Sequence, residues 1–262
     1  MSPKALKQPL HGPQYDLRGL GFRSGESIVI TGAASGIGKA TALMAALSGL
    51  AVGVWDMNME GAASTADEIK AAGGKAIAVG VNVASDTEVE KAWAECSALG
   101  NCQYLVNNAG PGSKSDAPFE ENLLIAVGSV HRVSTIWLLS HGAAAQSVVN
   151  ISSVAGNFQG GGSSTQPFYP TAKAAIAGYT RNFATRHAGK VRANAVAPGF
   201  TVTPRTIPYL DLPGVEENVS RIPAGRGGFP EEIASAVLFL LSPAASYVNG
   251  VLLPVDGAWI HA

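Results

Sequence analysis

Cysteine is nearly absent from this chain: among 262 residues only Cys96 and Cys102 occur, six positions apart. Two thiols so arranged make no disulfide framework, and no histidine cluster joins them into a zinc site, so no metal is expected and a reducing cytoplasm fits. Charge is sparse too, at 14% of residues with a net of -1. Without a Lys/Arg run, neither nucleic acid nor an anionic membrane is expected as the main partner, which leaves small molecules. No apolar run reads as long enough to span a bilayer, and the opening residues lack the apolar stretch of a signal peptide. Internal repeats and low-complexity tracts are missing as well.

What the chain has is apolar bulk, 47% of its residues, enough to bury one large core. We expect residues 1–25 to form an extension lying on the surface or on a neighbouring subunit, and 26–262 to form one domain. Short β-prone runs alternate with helical patterns: "SIVIT" then "IGKATALMAALSG", "AVGVWD" then "EGAASTADEIKAAGG", "AIAVGV" then "SDTEVEKAWAECSAL". That alternation predicts βαβ units and a parallel sheet. Gly49 and the Gly73–Gly74 pair stand where helices should stop, and Ser85 with Glu88 predicts a capping box. Further strands at "CQYLVNN", "SVVNIS", "VRANAVA" and "GVLLPVD" bring the count to about seven. Helices are expected near 119–140, 168–187 and 230–242, the last begun by Pro230. The fold class is α/β, a Rossmann-type doubly wound sheet with helices on both faces.

The first strand runs into "TGAASGIGKA". Gly32, Gly36 and Gly38 permit a tight turn there and let backbone approach a pyrophosphate, whose charge a helix N-terminus favours. Ser35 and Ile37 share that turn. Asp56 closes the next strand about 20 residues on, where a carboxylate suits the adenosine ribose hydroxyls, and Met57 follows it. The same carboxylate repels a 2′-phosphate, and no Arg or Lys stands beside it. NAD is therefore expected over NADP.

Tyr169 and Lys173 stand four apart in a helical pattern, on one face. Poising a phenol near neutrality requires lowering its pKa by about three units, roughly 4 kcal/mol. One ammonium at about 4 Å supplies roughly that at an effective dielectric of 20. The pair can therefore serve general acid/base chemistry.

The glycine spacing, with "NNAG" (107–110), "NISS" (150–153), "YPTAK" (169–173) and "APG" (197–199), resembles the short-chain dehydrogenase/reductase family from about residue 26 to "VDGAW". The resemblance implies that Tyr169 is the acid/base, that Lys173 binds the nicotinamide ribose and lowers the tyrosine pKa, and that Ser153 holds the substrate oxygen. Ser153 is preferred to Ser152 because the family's serine lies three before the glycine, here Gly156. Asn82 and Val83 would lie along the adenine, and Asn108 and Gly110 along the ribose. Thr201 and Thr203, after Pro198 and Gly199, would bind the carboxamide. A homotetramer is implied too, with the helices near 119–140 and 168–187 packing across subunits.

The chain departs from the family where its catalytic asparagine usually stands. Gly128 takes that place, or Ser129 if the alignment slips by one, while Asn122 falls too early. A loop before Tyr169 carries an extra "GGGSST", expected to line the substrate entrance with Phe158. Phe168, Phe200, Ile207 and Tyr209 are expected as apolar walls, although core positions suit Phe168 and Phe200 equally. The segment after Thr203 is expected to cover the substrate. With no basic cluster there, an apolar or aromatic secondary alcohol or ketone is the expected substrate. The alternative from another class is a catalytically idle NAD-binding protein with an assembly or sensing role. A third reading, an isomerase or dehydratase, would consume substrate without net NADH.

Overall fold

A computed structural model describes residues 17–160, 165–210 and 215–261. The first sixteen residues of the expected extension, and part of the extra loop, lie outside them. Seven strands, β1 Ser27–Thr31, β2 Ala51–Asp56, β3 Ala76–Gly80, β4 Tyr104–Asn107, β5 Ser147–Ile151, β6 Arg192–Pro198 and β7 Leu252–Val255, form one sheet in the order β3-β2-β1-β4-β5-β6-β7. Every pairing is parallel. The helices are α1 Gly36–Leu47, α2 Met59–Ala71, α3 Asp86–Glu95, α4 Phe119–Leu123, α5 Ser129–His141, α6 Phe168–Arg186, α7 Val215–Ser220 and α8 Pro230–Leu241. The doubly wound architecture read from the alternation is the one observed.

Strand alternation sorts the side chains into two layers. Ile28, Ile30, Val52, Val54 and Val106 face one core with α1, α2 and α8, whereas Val29, Trp55, Leu105 and Val148 face the other with α3, α5 and α6. Both faces are covered, which is why the strands read as nearly continuous apolar runs. Gly49 and Gly73 end their helices with φ of 91° and 85°, in the left-handed region that favours glycine. Pro230 opens α8, where the Glu232 carboxylate accepts from the Phe229 amide at 2.8 Å.

Two details depart from expectation, and a third decides between its alternatives. The Ser85 box is half-formed: Ser85 Oγ accepts from the Glu88 amide at 3.4 Å, but the Glu88 carboxylate turns to the Asn82 amide at 2.9 Å. The run Phe119–His141, with a mean hydropathy of 1.5, has the length and composition to cross a bilayer, against the reading that none does. Here it is a layer helix packed against β4, α3 and α6. It also holds a π-helical turn, Leu124–Gly128, between α4 and α5. Finally, Leu17, Leu20 and Phe22 dock on the first core, Phe22 meeting Tyr104 edge-on at 5.1 Å, so the end of the extension is bound to its own molecule.

The order reverses between β1 and β4. In such sheets a crevice opens there beyond the carboxyl ends of the strands.

Candidate active site

A cleft of about 810 Å³ occupies that crevice. Its walls come from the loops that follow six strands in turn, which brings Gly32, Asp56, Asn82, Asn108, Ser153 and Gly199 together from positions far apart in sequence.

The turn after β1 is built around contacts that only glycine permits. Gly32 has φ 68°, and a Cβ at Gly38 would stand 2.1 Å from the Gly32 carbonyl oxygen. The Asn108 side chain donates to the Thr31 and Gly32 carbonyls at 3.0 and 2.9 Å, tying β4's exit to this turn. Ser35 caps α1 without a side-chain hydrogen bond, so the first amides of the helix stay available to an anion. Asp56 accepts from the Ala34 amide at 3.0 Å and the Asn58 amide at 2.9 Å, which fixes its carboxylate at the edge of the same cleft. An uncapped helix end, a glycine turn and a fixed carboxylate fit a dinucleotide. Ser35, Gly36 and Ile37 line the cleft at the uncapped start of α1, and Asp56 and Met57 line it at the carboxyl end of β2. Gly38 departs from the expectation: it is not among the cleft residues, and its lack of a side chain serves helix-to-turn packing instead.

At the other end stand Ser153, Tyr169 and Lys173. Ser153 follows β5 and accepts from the Ala155 amide at 3.1 Å. Tyr169 and Lys173 occupy the first two turns of α6, and the ammonium lies 5.6 Å from the centre of the tyrosine ring. Lys173 Nζ donates to the Ile151 carbonyl at 2.8 Å, holding the start of α6 to the end of β5. Gly156 makes this approach possible. Its φ is 85°, and a Cβ there would sit 2.0 Å from the Pro170 oxygen. Ser152 donates to the Lys173 carbonyl at 2.7 Å, a backbone role that separates it from Ser153. Asn107 likewise ties elements together, donating to Asn150 at 2.8 Å and Ser134 at 2.9 Å.

The electrostatics correct the simple two-charge argument. Burial pushes the Tyr169 phenol above its ordinary pKa, while a hydrogen bond with Ser153 and the charge of Arg205 pull it down. Burial, and then Arg205, bring Lys173 down to about 8. Desolvation of both groups therefore opposes the activation that an isolated charge–charge estimate predicts, and the lysine does not act by itself.

Val83, Gly110, Pro198, Thr201 and Thr203 line the cleft as expected. Of the expected apolar walls, Phe200 does so as well. Phe158 and Ile207 are exposed and are not among the residues lining it. Phe168 is buried and meets the Tyr169 ring edge-on at 6.3 Å, the core position left open for it. The side chain of Tyr209 lies outside the described residues. Gly128 is absent from the described cleft wall, and Ile125 from the π turn stands there instead. Ser113, Gln159, Arg205 and Trp259 also line the cleft and were not singled out from sequence. Of these, only Arg205 carried a legible signal, as a cation two residues past Thr203.

Comparison with known proteins agrees with this geometry. The family described as Enoyl-(Acyl carrier protein) reductase matches residues 32–259. The chain is 36% identical over 248 residues to a 3-oxoacyl-[acyl-carrier-protein] reductase of Thermotoga maritima, covering 90% of this chain and 98% of that protein. It is 37% identical over 244 residues to the cyclohexanol dehydrogenase of an Acinetobacter species, covering 88% and 93%. A Haemophilus influenza structure assigned as a D-mannonate oxidoreductase, with bound NAD, superposes with a TM-score of 0.84 at 26% identity, covering 94% of this chain and 99% of that one. The chain belongs to the short-chain dehydrogenase/reductase family, whose oxidoreductases work with a nicotinamide cofactor.

Proposed function

We propose that this protein interconverts a secondary alcohol and a ketone by hydride transfer with NAD, acting on a small apolar or aromatic molecule. The observation that carries the reading is the meeting of Ser153, Tyr169 and Lys173 at one end of the cleft whose other end holds the glycine turn and Asp56. Asp56 favours NAD over NADP, because a carboxylate held by two amides repels a 2′-phosphate at close range. A cyclic secondary alcohol suits the mostly neutral wall formed by Ile125, Phe200 and Trp259, and one relative is named for cyclohexanol.

In the oxidative direction the Tyr169 phenolate takes the hydroxyl proton of the alcohol. Ser153 holds the same oxygen while its charge changes. Lys173, beside the ring, favours the phenolate and reaches the ribose side of the cleft. A nicotinamide bound at this end supplies the hydride acceptor, or the donor in reverse. Ile125 and Phe200 limit water around the reacting carbon. The segment from Thr203 onward covers the substrate.

A homotetramer accords with the exposed apolar chains Phe119, Leu124 and Leu139 along the α4–α5 run. A reducing cytoplasm suits Cys96 and Cys102, both free and buried, with burial raising their thiols to about 11 and about 12. Among the described residues nothing favours the idle alternative.

The test is formation of NADH from a panel of cyclic secondary alcohols, with NAD+ and NADP+ side by side. Turnover with NAD+ preferred supports the reading. Binding of NAD without turnover of any alcohol or ketone overturns it.

A further inference from the structure

The ionisable side chains lining the cleft, among the described residues, are Asp56, Tyr169, Lys173 and Arg205. Asp56 is at the adenosine end, engaged with the Ala34 and Asn58 amides. Among the described residues, the catalytic end therefore holds two basic groups and no carboxylate.

Arg205 is held in place by its turn. Thr206 Oγ1 accepts from the Thr203 amide at 2.8 Å and donates to the Thr201 carbonyl at 2.7 Å, while the amides of Thr206 and Ile207 both donate to the Thr203 carbonyl at 2.9 Å. This small knot sets the direction in which the arginine leaves the lid. Its stem runs beside Gly112 on the loop after β4, where a Cβ at Gly112 would meet Arg205 Cδ at 3.7 Å and Nε at 3.9 Å. The arginine stem thus runs along the loop after β4, whose Pro111 and Ser113 line the cleft with Arg205. Among the described residues the guanidinium makes no hydrogen bond or ion pair, although its charge is felt by both Tyr169 and Lys173.

A guanidinium presents five donors in a planar fork that matches a carboxylate bidentately. Left beside a second cation in a cleft otherwise neutral at that end, it raises the local affinity for an anion. The cofactor phosphates are the other candidate. The residue turned toward them is Thr203, whose Cβ stands 3.4 Å from a Cβ built at Gly36, whereas Arg205 leaves the turn toward Gly112.

We infer that Arg205 is a substrate-binding residue that pairs with a carboxylate, so that the substrate is a hydroxy or keto acid with an apolar body and an acid group a few bonds from the carbinol carbon. This rests on the alcohol–ketone reading above and narrows it: a single carboxylate balances the arginine, whereas a polyanion finds, among the described cleft residues, no cation beyond Arg205 and Lys173.

The probe is cyclohexanecarboxylate, with cyclohexanecarboxamide as its neutral counterpart, titrated into the enzyme–NADH complex and read by NADH fluorescence. The wild type is expected to bind the acid about tenfold to a hundredfold more tightly than the amide, as a charge-assisted bidentate pair provides. Arg205→Ala is expected to abolish that ratio and Arg205→Lys to keep part of it, with NADH affinity within about twofold of wild type. Equal binding of acid and amide by the wild type overturns the inference, and so does a preference that survives in Arg205→Ala. A loss of NADH affinity in Arg205→Ala in proportion to the loss of acid binding also overturns it, because the arginine then serves the cofactor phosphates. If cyclic alcohols are oxidised and the acid preference is absent, this inference alone fails. If the Arg205-dependent preference is present and no alcohol or ketone turns over, the alcohol–ketone reading fails and the carboxylate site stands.

Discussion

The Lys173 ammonium lies 5.6 Å from the centre of the Tyr169 ring while donating at 2.8 Å to the Ile151 carbonyl at the end of β5. One cation thus serves two purposes, fastening α6 to the sheet and standing beside the phenol. Burial works against both charged forms: it raises the Tyr169 pKa and brings Lys173 to about 8. A site so arranged keeps a charge where the fold alone would not place one, and stability is thereby exchanged for activity.

That exchange has a sign. Lys173 has an ordinary pKa of 10.5 and a folded value of about 8. Between those values the unfolded chain holds a proton that the folded chain has released, so stability rises with pH across that window. Below it the burden of the buried cation is fully present. Lys173→Met is expected to be inactive yet more stable at about pH 7, by about 1–2 kcal/mol once partial exposure and the lost bond to Ile151 are discounted. The advantage should narrow as pH rises past about 8 toward 10.5. Urea unfolding at the two ends of the window checks it, and a gap that widens with pH contradicts it.

Arg205 lowers the pKa of Tyr169 by its charge. Arg205→Ala should therefore move the acid limb of the pH profile for alcohol oxidation to higher pH, and Arg205→Lys should restore most of the shift. A limb that stays put or moves to lower pH removes the electrostatic connection.

Asp56→Asn keeps the shape of the side chain and removes its charge. The ratio of NADP+ to NAD+ dissociation constants is expected to fall by about tenfold, the size of a single like-charge contact near a surface. An unchanged ratio would mean that the carboxylate serves the Ala34 and Asn58 amides alone.

Gly128→Asn is expected to leave turnover undiminished. Gly128 has helical φ and ψ of -61° and -37°, and a Cβ there meets the Leu124 side chain, Cδ1 at 3.4 Å and Cγ at 4.0 Å, which is exposed enough to yield. The wall position belongs to Ile125. A tenfold loss of activity would return Gly128 to the site.

Much of this was legible from sequence because the signals were local. The strand "SIVIT" is β1 residue for residue, since a strand buried on both faces reads as a short, mostly apolar run. The glycine turn and Asp56 could be placed because they stand at the carboxyl ends of two successive strands, Tyr169 and Lys173 by their spacing on one helix, and Ser153 by the resemblance of its motif. What stayed hidden depends on direction in space. The π turn at Leu124–Gly128 is written in residues that any α-helix accepts, yet it turns Ile125 into the cleft. Phe158 sits in a loop whose sense sequence does not reveal, and it is exposed rather than part of the cleft lining. The pair of charges on α6 suggested activation, but sequence could not weigh the opposing burial. Arg205 was visible as a lone cation, and its meaning came only with the neutral wall around it.

The most direct test of the central claim is the rate of NADH formation from a cyclic secondary alcohol by the wild type and by Tyr169→Phe, with NADH binding measured on both. The account predicts a fall in turnover of about 10²–10⁴, the size of a lost general acid/base, with NADH affinity held within a few fold. Undiminished turnover in Tyr169→Phe would contradict it.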